Sequence, residues 1–197
     1  FCPVQTSKTE LRIKLGLPAD KRIFIYTGSF VASKNQDFAV RNFLKSSCVD
    51  NGSLILLGTG PLLSQLKKQY SGNKNIVFVG FVANAQEYLQ AADVFLSTSS
   101  IEGLPNGVLE ALAVGLPVLL SDIPQHMEIL HINNRIGLSY RLNSDKDFIE
   151  KLDQIMSADL TQYGLLCRET AVNQLSAYSM SRQYQQAYEK MMAGEQT

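Results

Sequence analysis

The chain has 197 residues, 45% of them hydrophobic, and a formal net charge of zero. That is enough apolar material for one sizeable core, and the balanced charge supplies no basic field for a nucleic-acid partner. The apolar runs are strand-length, too short for a membrane-spanning helix, and no signal peptide is visible.

The sequence opens on FCPVQTSKTELRIKLG without an initiator Met, so it is expected to be a processed product or an excised piece. TSKTELRIKLG predicts a leading helix, with Thr6 or Ser7 at its N-cap and Glu10 in its first turn. RIFIYTG (Arg22 to Gly28) follows, then SLILLG (Ser53 to Gly58), NIVFVG (Asn75 to Gly80), DVFLST (Asp93 to Thr98), PVLLSD (Pro117 to Asp122) and IGLSY (Ile136 to Tyr140). Each run carries Val, Ile, Leu or Phe at consecutive positions. Strands apolar on both faces belong in a parallel sheet covered by helices.

Between the runs lie QDFAVRNFLKSS, PLLSQLKKQYS, AQEYLQAA, GVLEALAVG and QHMEIL, with apolar residues three or four apart. Pro61 is read as the first helical residue of its segment, and Glu110 falls in the first turn of the helix that GVLEALAVG starts. After Tyr140 the pattern is helical over Ser144 to Ser157, Asp159 to Leu175 and Ser179 to Ala193, and GEQT is a frayed tail. The alternation predicts an α/β fold: a doubly wound, Rossmann-like parallel sheet of about six strands in a single domain, with C-terminal helices. Cys2, Cys48 and Cys167 have no metal-ligand spacing and their odd count gives no disulfide framework, so they are expected as reduced thiols in a cytosolic protein.

In open parallel sheets ligands bind beyond the carboxyl ends of the strands. Those exits are TGSFVASKN, LGTGPL, VGFVAN and STSSIEGLPNGV, and glycine occurs in all four, as close backbone approach to a ligand requires. GTGPLL has Leu63 where a dinucleotide fingerprint needs its third glycine. No Walker loop, H-E-x-x-H or G-x-S-x-G elbow is present, and no Asp-x-Asp stands at a strand end. His126 and His131, five apart on a presumed helix and loop, make a poor zinc site. The exit SIEGLPNGVLEAL sets two carboxylates, Glu102 and Glu110, around a glycine-containing helix start, where an anion would ordinarily sit.

EGLPNGVLEALAVGLPVLLSD resembles the E-x7-E segment of retaining GT-B glycosyltransferases of the group 1, or family 4, set, with Glu102 and Glu110 as its glutamates. YTGSFVASKN resembles the family's first loop, LLGTGPLLSQL its second strand exit, and IVFVGFVANAQEYLQAADVFLSTS the next two. The likeness covers nearly the whole chain, in order. It implies the C-terminal, donor-binding domain of a two-domain enzyme, spanning residues 1–197, with FCP at the end of the interdomain linker. The acceptor domain lies outside the chain, and the last helix, around SRQYQQAYEKMM, reaches back toward it.

The resemblance assigns the donor, a UDP- or GDP-linked sugar, residue by residue. Glu110 takes the ribose hydroxyls and Glu102 those of the transferred sugar; a carboxylate accepts such hydrogen bonds strongly. Lys34 and the amides of Gly103, Leu104, Pro105–Asn106 and Gly107 meet the diphosphate. Gly28 and Ser29 lie in the first loop, where the family usually has Gly-Arg, so Ser29 removes one expected cation. Gly58, Gly60 and the backbone of Val82 frame the base, and backbone contacts do not separate uridine from guanosine or adenosine. No cofactor and no metal is implied. Lys34 and Glu102 carry the catalysis, a sugar or lipid-linked glycan is the acceptor, and the setting is the cytoplasm or the inner face of the membrane. Glu110 as a helix-dipole partner, and Glu102 and Lys34 as solvated loop residues, are the plainer alternatives. Rival functions are a nucleotide-sugar epimerase of related architecture, a catalytically degenerate partner subunit left by the loss at Ser29, and a response-regulator-like or flavodoxin-like module. The last needs an acidic cluster or flavin loop that TGSFVASKN does not provide.

Overall fold

The computed structural model describes residues 7–192; Thr6, Cys2, the FCP segment and the GEQT tail lie outside them. Six strands, β1 (Arg22–Thr27), β2 (Gly52–Leu57), β3 (Ile76–Gly80), β4 (Val94–Ser97), β5 (Val118–Ser121) and β6 (Gly137–Tyr140), pair in parallel in the order β3-β2-β1-β4-β5-β6. The helices are α1 (Lys8–Lys14), α2 (Gln36–Phe43), α3 (Cys48–Asn51), α4 (Leu63–Gln69), α5 (Ala85–Ala91), α6 (Asn106–Ala113), α7 (Pro124–Ile132), α8 (Asp145–Ser157), α9 (Thr161–Asn173) and α10 (Ala177–Met192). A 3-10 turn covers Ala32–Lys34. This is the doubly wound α/β architecture that the alternation predicts.

The consecutive apolar residues of each strand divide between two cores. Ile23, Ile25, Ile55, Leu57, Phe95 and Leu120 face Val108, Ala111 and Leu112 of α6, Leu89 of α5 and Cys167 of α9. Phe24, Tyr26, Leu54, Leu56, Leu96 and Leu119 face Phe38 and Phe43 of α2 and Phe148 and Leu152 of α8. β2 is buried along its whole length, as a strand covered on both faces must be. Phe38, Tyr140 and Phe148 close the second core, the last two edge-to-face with centroids 4.8 Å apart.

Local chemistry sets the helix ends. Ser7 and Glu10 form a capping box on α1, and Ser144 caps α8 through the Asp147 amide. At the amino edge of the sheet, the buried Arg12 donates to Asp93 Oδ2 at 2.6 Å and to the carbonyls of Ala91, Ala19 and Lys21. Burial pushes the Asp93 carboxyl upward, but Lys8, the Ile23 amide and Arg12 outweigh it and hold it below the usual range.

Four local expectations are corrected. Pro61 lies in a turn two residues before α4 begins; the Leu62 amide is tied to the Phe30 carbonyl at 3.1 Å, which holds that segment against the β1 exit. α6 begins at Asn106, so Glu110 stands in its second turn and does not complement the helix start. His131 is on α7 together with His126, not on a loop. The short α3, between α2 and β2, is an addition. Cys48 and Cys167 are free and buried, and burial pushes both thiols up to about 12.

Candidate functional site

In this strand order the chain turns back between β1 and β4, the position where open α/β sheets bind ligands. The exits of these two strands are fastened together. The Tyr26 hydroxyl donates to the Lys34 carbonyl at 2.7 Å, and Thr98 Oγ1 donates to the Lys34 and Asn35 carbonyls at 3.1 and 2.9 Å. The Ser100 amide donates to the Ser33 carbonyl at 2.8 Å.

Across this junction Lys34 Nζ lies 2.6 Å from each carboxylate oxygen of Glu102. The side chains are 24% and 9% exposed, so the pair is largely screened from water but reachable. A cleft of about 30 Å³ lies beside it, lined by Tyr26, Thr27, Ser97, Asn106 and Gly107 as well as the pair. That volume suits a water or two, so a sugar entering here has to open the pair. α6 starts at this cleft. No side chain caps it and no acid stands in its first turn; the Asn106 and Val108 amides donate to the Leu104 and Pro105 carbonyls, which leaves the Gly107 amide to meet an anion. Gly107 lets α6 approach the β1 exit; a Cβ there would stand 2.7 Å from Thr27 Oγ1.

A second cleft, of about 380 Å³, opens at the exits of β1, β2 and β3. It is lined by Thr27, Gly28, Ser29, Leu57, Gly58, Thr59, Phe81, Val82 and Ala85. Gly58 has φ +127°, and a Cβ there would lie 2.0 Å from the Gly28 carbonyl oxygen, so the two loops meet backbone to backbone only with glycine at this position. Gly60 packs similarly on the Phe30 backbone. Ser29 is exposed, and the lining of this cleft includes no lysine or arginine.

The predicted residues therefore do not share one cleft. Lys34, Glu102, Pro105, Asn106 and Gly107 share the small cleft, while Gly28, Ser29, Gly58 and Val82 share the larger one. Gly103 and Leu104 are exposed on the loop between Glu102 and α6. Glu110 lines neither cleft. It lies half-buried in a groove of about 290 Å³ between α6 and α9, with Leu109, Ala113, Arg168 and Val172. Burial pushes its carboxyl above the usual range.

Sequence reading assigns no role to Phe81 or Tyr26, and weighs His126 only as half of a poor zinc site. Phe81 is 79% exposed at the mouth of the larger cleft; the signal for it was an aromatic directly after a strand-ending glycine. Tyr26 is buried beneath Lys34, and burial raises its hydroxyl pKa. His126 is fully buried on α7. Burial lowers its pKa, against the opposing pull of the Ser121 carbonyl and of Glu102.

A doubly wound sheet with a lysine–carboxylate pair at its switch point and a helix start beside it defines an α/β domain of the Rossmann-like class. Residues 7–168 match the family described as "Glycosyl transferases group 1", and the chain belongs to that family. It is 36% identical over 121 residues to a putative teichuronic acid biosynthesis glycosyltransferase of Bacillus subtilis, covering 60% of this chain and 29% of the relative. It is 28% identical over 182 residues to the UDP-Gal:alpha-D-GlcNAc-diphosphoundecaprenol alpha-1,3-galactosyltransferase of Escherichia coli, covering 88% and 46%. The chain thus spans less than half the length of either relative. Among solved structures, Anabaena HepE in complex with UDP and glucose superposes with a TM-score of 0.77 at 19% identity, covering 93% of this chain and 53% of that one. That likeness shows the GT-B, Rossmann-like fold.

Proposed function

We propose that this chain is the donor-binding half of a glycosyltransferase that moves a sugar from a nucleotide sugar to an acceptor hydroxyl with retention of anomeric configuration, in polysaccharide or glycoconjugate synthesis. The observation that carries the reading is the Lys34–Glu102 pair at the junction of β1 and β4. Its cation suits a diphosphate and its carboxylate suits sugar hydroxyls, and the ligand satisfies both as it separates them. Names and ligands among the relatives support a UDP-linked donor, with a GDP-linked one as the alternative.

In this reading the diphosphate lies between Lys34 and the start of α6, the sugar turns toward Glu102, and the base enters the larger cleft against Phe81 and the Val82 backbone. The family resemblance gives Glu110 the ribose hydroxyls, although its side chain lies in the groove between α6 and α9 and lines neither cleft. As the acceptor hydroxyl oxygen bonds to the anomeric carbon, the bond from that carbon to the phosphate oxygen breaks on the same face, and the nucleoside diphosphate leaves with the hydroxyl proton on its departing oxygen. Lys34 and the Gly107 amide stabilise the charge that develops on it. Glu102 holds hydroxyls and forms no covalent bond. The acceptor, a sugar or a lipid-linked glycan, is held by a domain outside this chain, so the chain alone turns over no substrate. A lipid-linked acceptor would bring the full-length protein to the inner face of the membrane; among the described residues no helix is long and apolar enough to cross one. The test is transfer by the full-length protein, with the product anomer read by NMR. Retention is expected, and Lys34→Ala and Glu102→Ala are each expected to lower kcat/KM by roughly 100-fold. Inversion, or undiminished turnover in both variants, contradicts the proposal.

The bare lining around Ser29 favours a second reading, in which the chain binds nucleotide sugars as a partner subunit without transferring them. Absence of transfer with nucleotide binding intact would support it.

A further inference from the structure

We infer that His126 is a positioning residue for the Glu102 loop, acting through Ser121 and the main chain of Ser99, and that Tyr26 serves Lys34 in the same way. The inference rests on the reading of Lys34 and Glu102 as the donor-binding pair.

The hydrogen bonds at His126 determine its tautomer. Nδ1 lies 3.0 Å from the Ser121 carbonyl oxygen and 3.1 Å from Ser121 Oγ. Ser121 Oγ is also 2.6 Å from the Ser99 carbonyl oxygen, which can only accept, so the hydroxyl proton of Ser121 is committed there. The Ser121 carbonyl likewise only accepts. Nδ1 therefore carries the hydrogen, and Nε2 is a bare acceptor, buried and without a hydrogen-bond partner. An apolar side chain would avoid that desolvation. What the imidazole adds is its grip on Ser121, and through it on Ser99.

Ser99 stands three residues before Glu102 and is the hub of a buried polar cluster. Its hydroxyl lies 3.2 Å from the Tyr26 hydroxyl and 3.2 Å from Ser97 Oγ. Tyr26 holds the Lys34 main chain, and Thr98 and Ser100 join the two loops on either side of Ser99. A continuous set of hydrogen bonds thus runs from α7, through the ends of β5, β4 and β1, to the main chain of Lys34 and to Ser99, three residues before Glu102. Buried networks of this kind fix one geometry, and a site that grips a diphosphate and a sugar together needs its two side chains at a set spacing.

The native chain gives the first test. ¹⁵N NMR of the His126 ring at neutral pH is expected to show hydrogen on Nδ1 and none on Nε2; the opposite tautomer overturns the inference. The second test compares His126→Leu with His126→Asn, whose amide can still donate to the Ser121 carbonyl. His126→Leu is expected to speed amide exchange over Ser99 to Glu102 about 10-fold and to weaken UDP binding about 10-fold, with the melting temperature kept. His126→Asn is expected to recover both. Tyr26→Phe is expected to speed exchange at Lys34 and Asn35. Unchanged exchange in His126→Leu, or no recovery in His126→Asn, overturns the inference. If the native chain takes up neither UDP nor GDP, the donor-site reading falls, and the exchange measurements still decide the positioning role.

Discussion

Lys34 Nζ sits within 2.6 Å of both carboxylate oxygens of Glu102, across the line where the sheet changes direction. The two side chains neutralise one another, and the cleft they border is too small for a sugar. The pair has to separate before a donor is held. Removing Glu102 alone therefore frees Lys34 for phosphate. Glu102→Gln is expected to tighten binding of UDP, which brings no sugar, by several-fold to about 10-fold, while the same change abolishes transfer in the full-length protein. Calorimetry checks the first part; weaker UDP binding in Glu102→Gln would show that Lys34 is not competed for.

Ser29 offers a gain-of-function test. The residue is exposed beside a cleft lined without lysine or arginine, so an added guanidinium meets open space and no competing cation in that lining. Ser29→Arg is expected to tighten nucleoside diphosphate binding by about 10-fold, equivalent to ~1.4 kcal/mol, with the gain shrinking as salt is raised. Titration at low and high ionic strength reads both effects, and an unchanged affinity removes the diphosphate from this loop.

Glu110 is expected to trade stability for binding. Burial raises its carboxyl pKa above the usual range. The folded chain then holds this proton to a higher pH than the unfolded chain does. Stability falls as pH rises from the unfolded carboxyl pKa through the folded one, and at neutral pH the ionised group is a constant cost. Glu110→Gln removes that cost. Its melting temperature at pH 7 is expected to rise by about 1–2 °C, with UDP affinity reduced because the ribose hydroxyls lose a charged acceptor. A variant with lower stability and unchanged affinity would make Glu110 a structural residue.

The opposite edge of the sheet serves as a control. Arg12 is buried against Asp93, so Asp93→Ala leaves a guanidinium without its counter-charge and is expected to cost about 3 kcal/mol or more in urea unfolding. Asp93 has a lowered folded pKa, so its contribution is present above the unfolded carboxyl pKa and is lost as pH falls through the folded value. UDP affinity of the folded fraction is expected to be unchanged, because this pair stands at the end of the sheet remote from Lys34.

The four inner strands were readable because they are buried on both faces, and a parallel interior leaves an unbroken apolar run in the sequence; the edge strands β3 and β6 are only partly buried. α3 was not, since Cys48–Asn51 is a single turn with no side-chain cap. The start of α6 was misplaced by one residue, enough to move Glu110 out of the first turn. Glu102 stood out as a charge at a strand exit and Lys34 through the family resemblance, but their contact depends on how the β1 and β4 exits are fastened, which Thr98 and Ser100 determine in three dimensions. Tyr26 and His126 were hidden for a different reason. A buried aromatic at a strand end and a histidine in an apolar helix have the pattern of core residues, and only the partners of their polar atoms mark them out.

The central claim is that Lys34 and Glu102 together receive a nucleotide sugar at the β1–β4 junction. Calorimetric titration of the native chain and of Lys34→Ala with UDP and GDP tests it most directly. Saturable binding of at least one nucleotide by the native chain, weakened 10-fold or more in the folded Lys34→Ala variant, is the predicted result. Equal binding by both proteins, or no binding by the native chain, would contradict it.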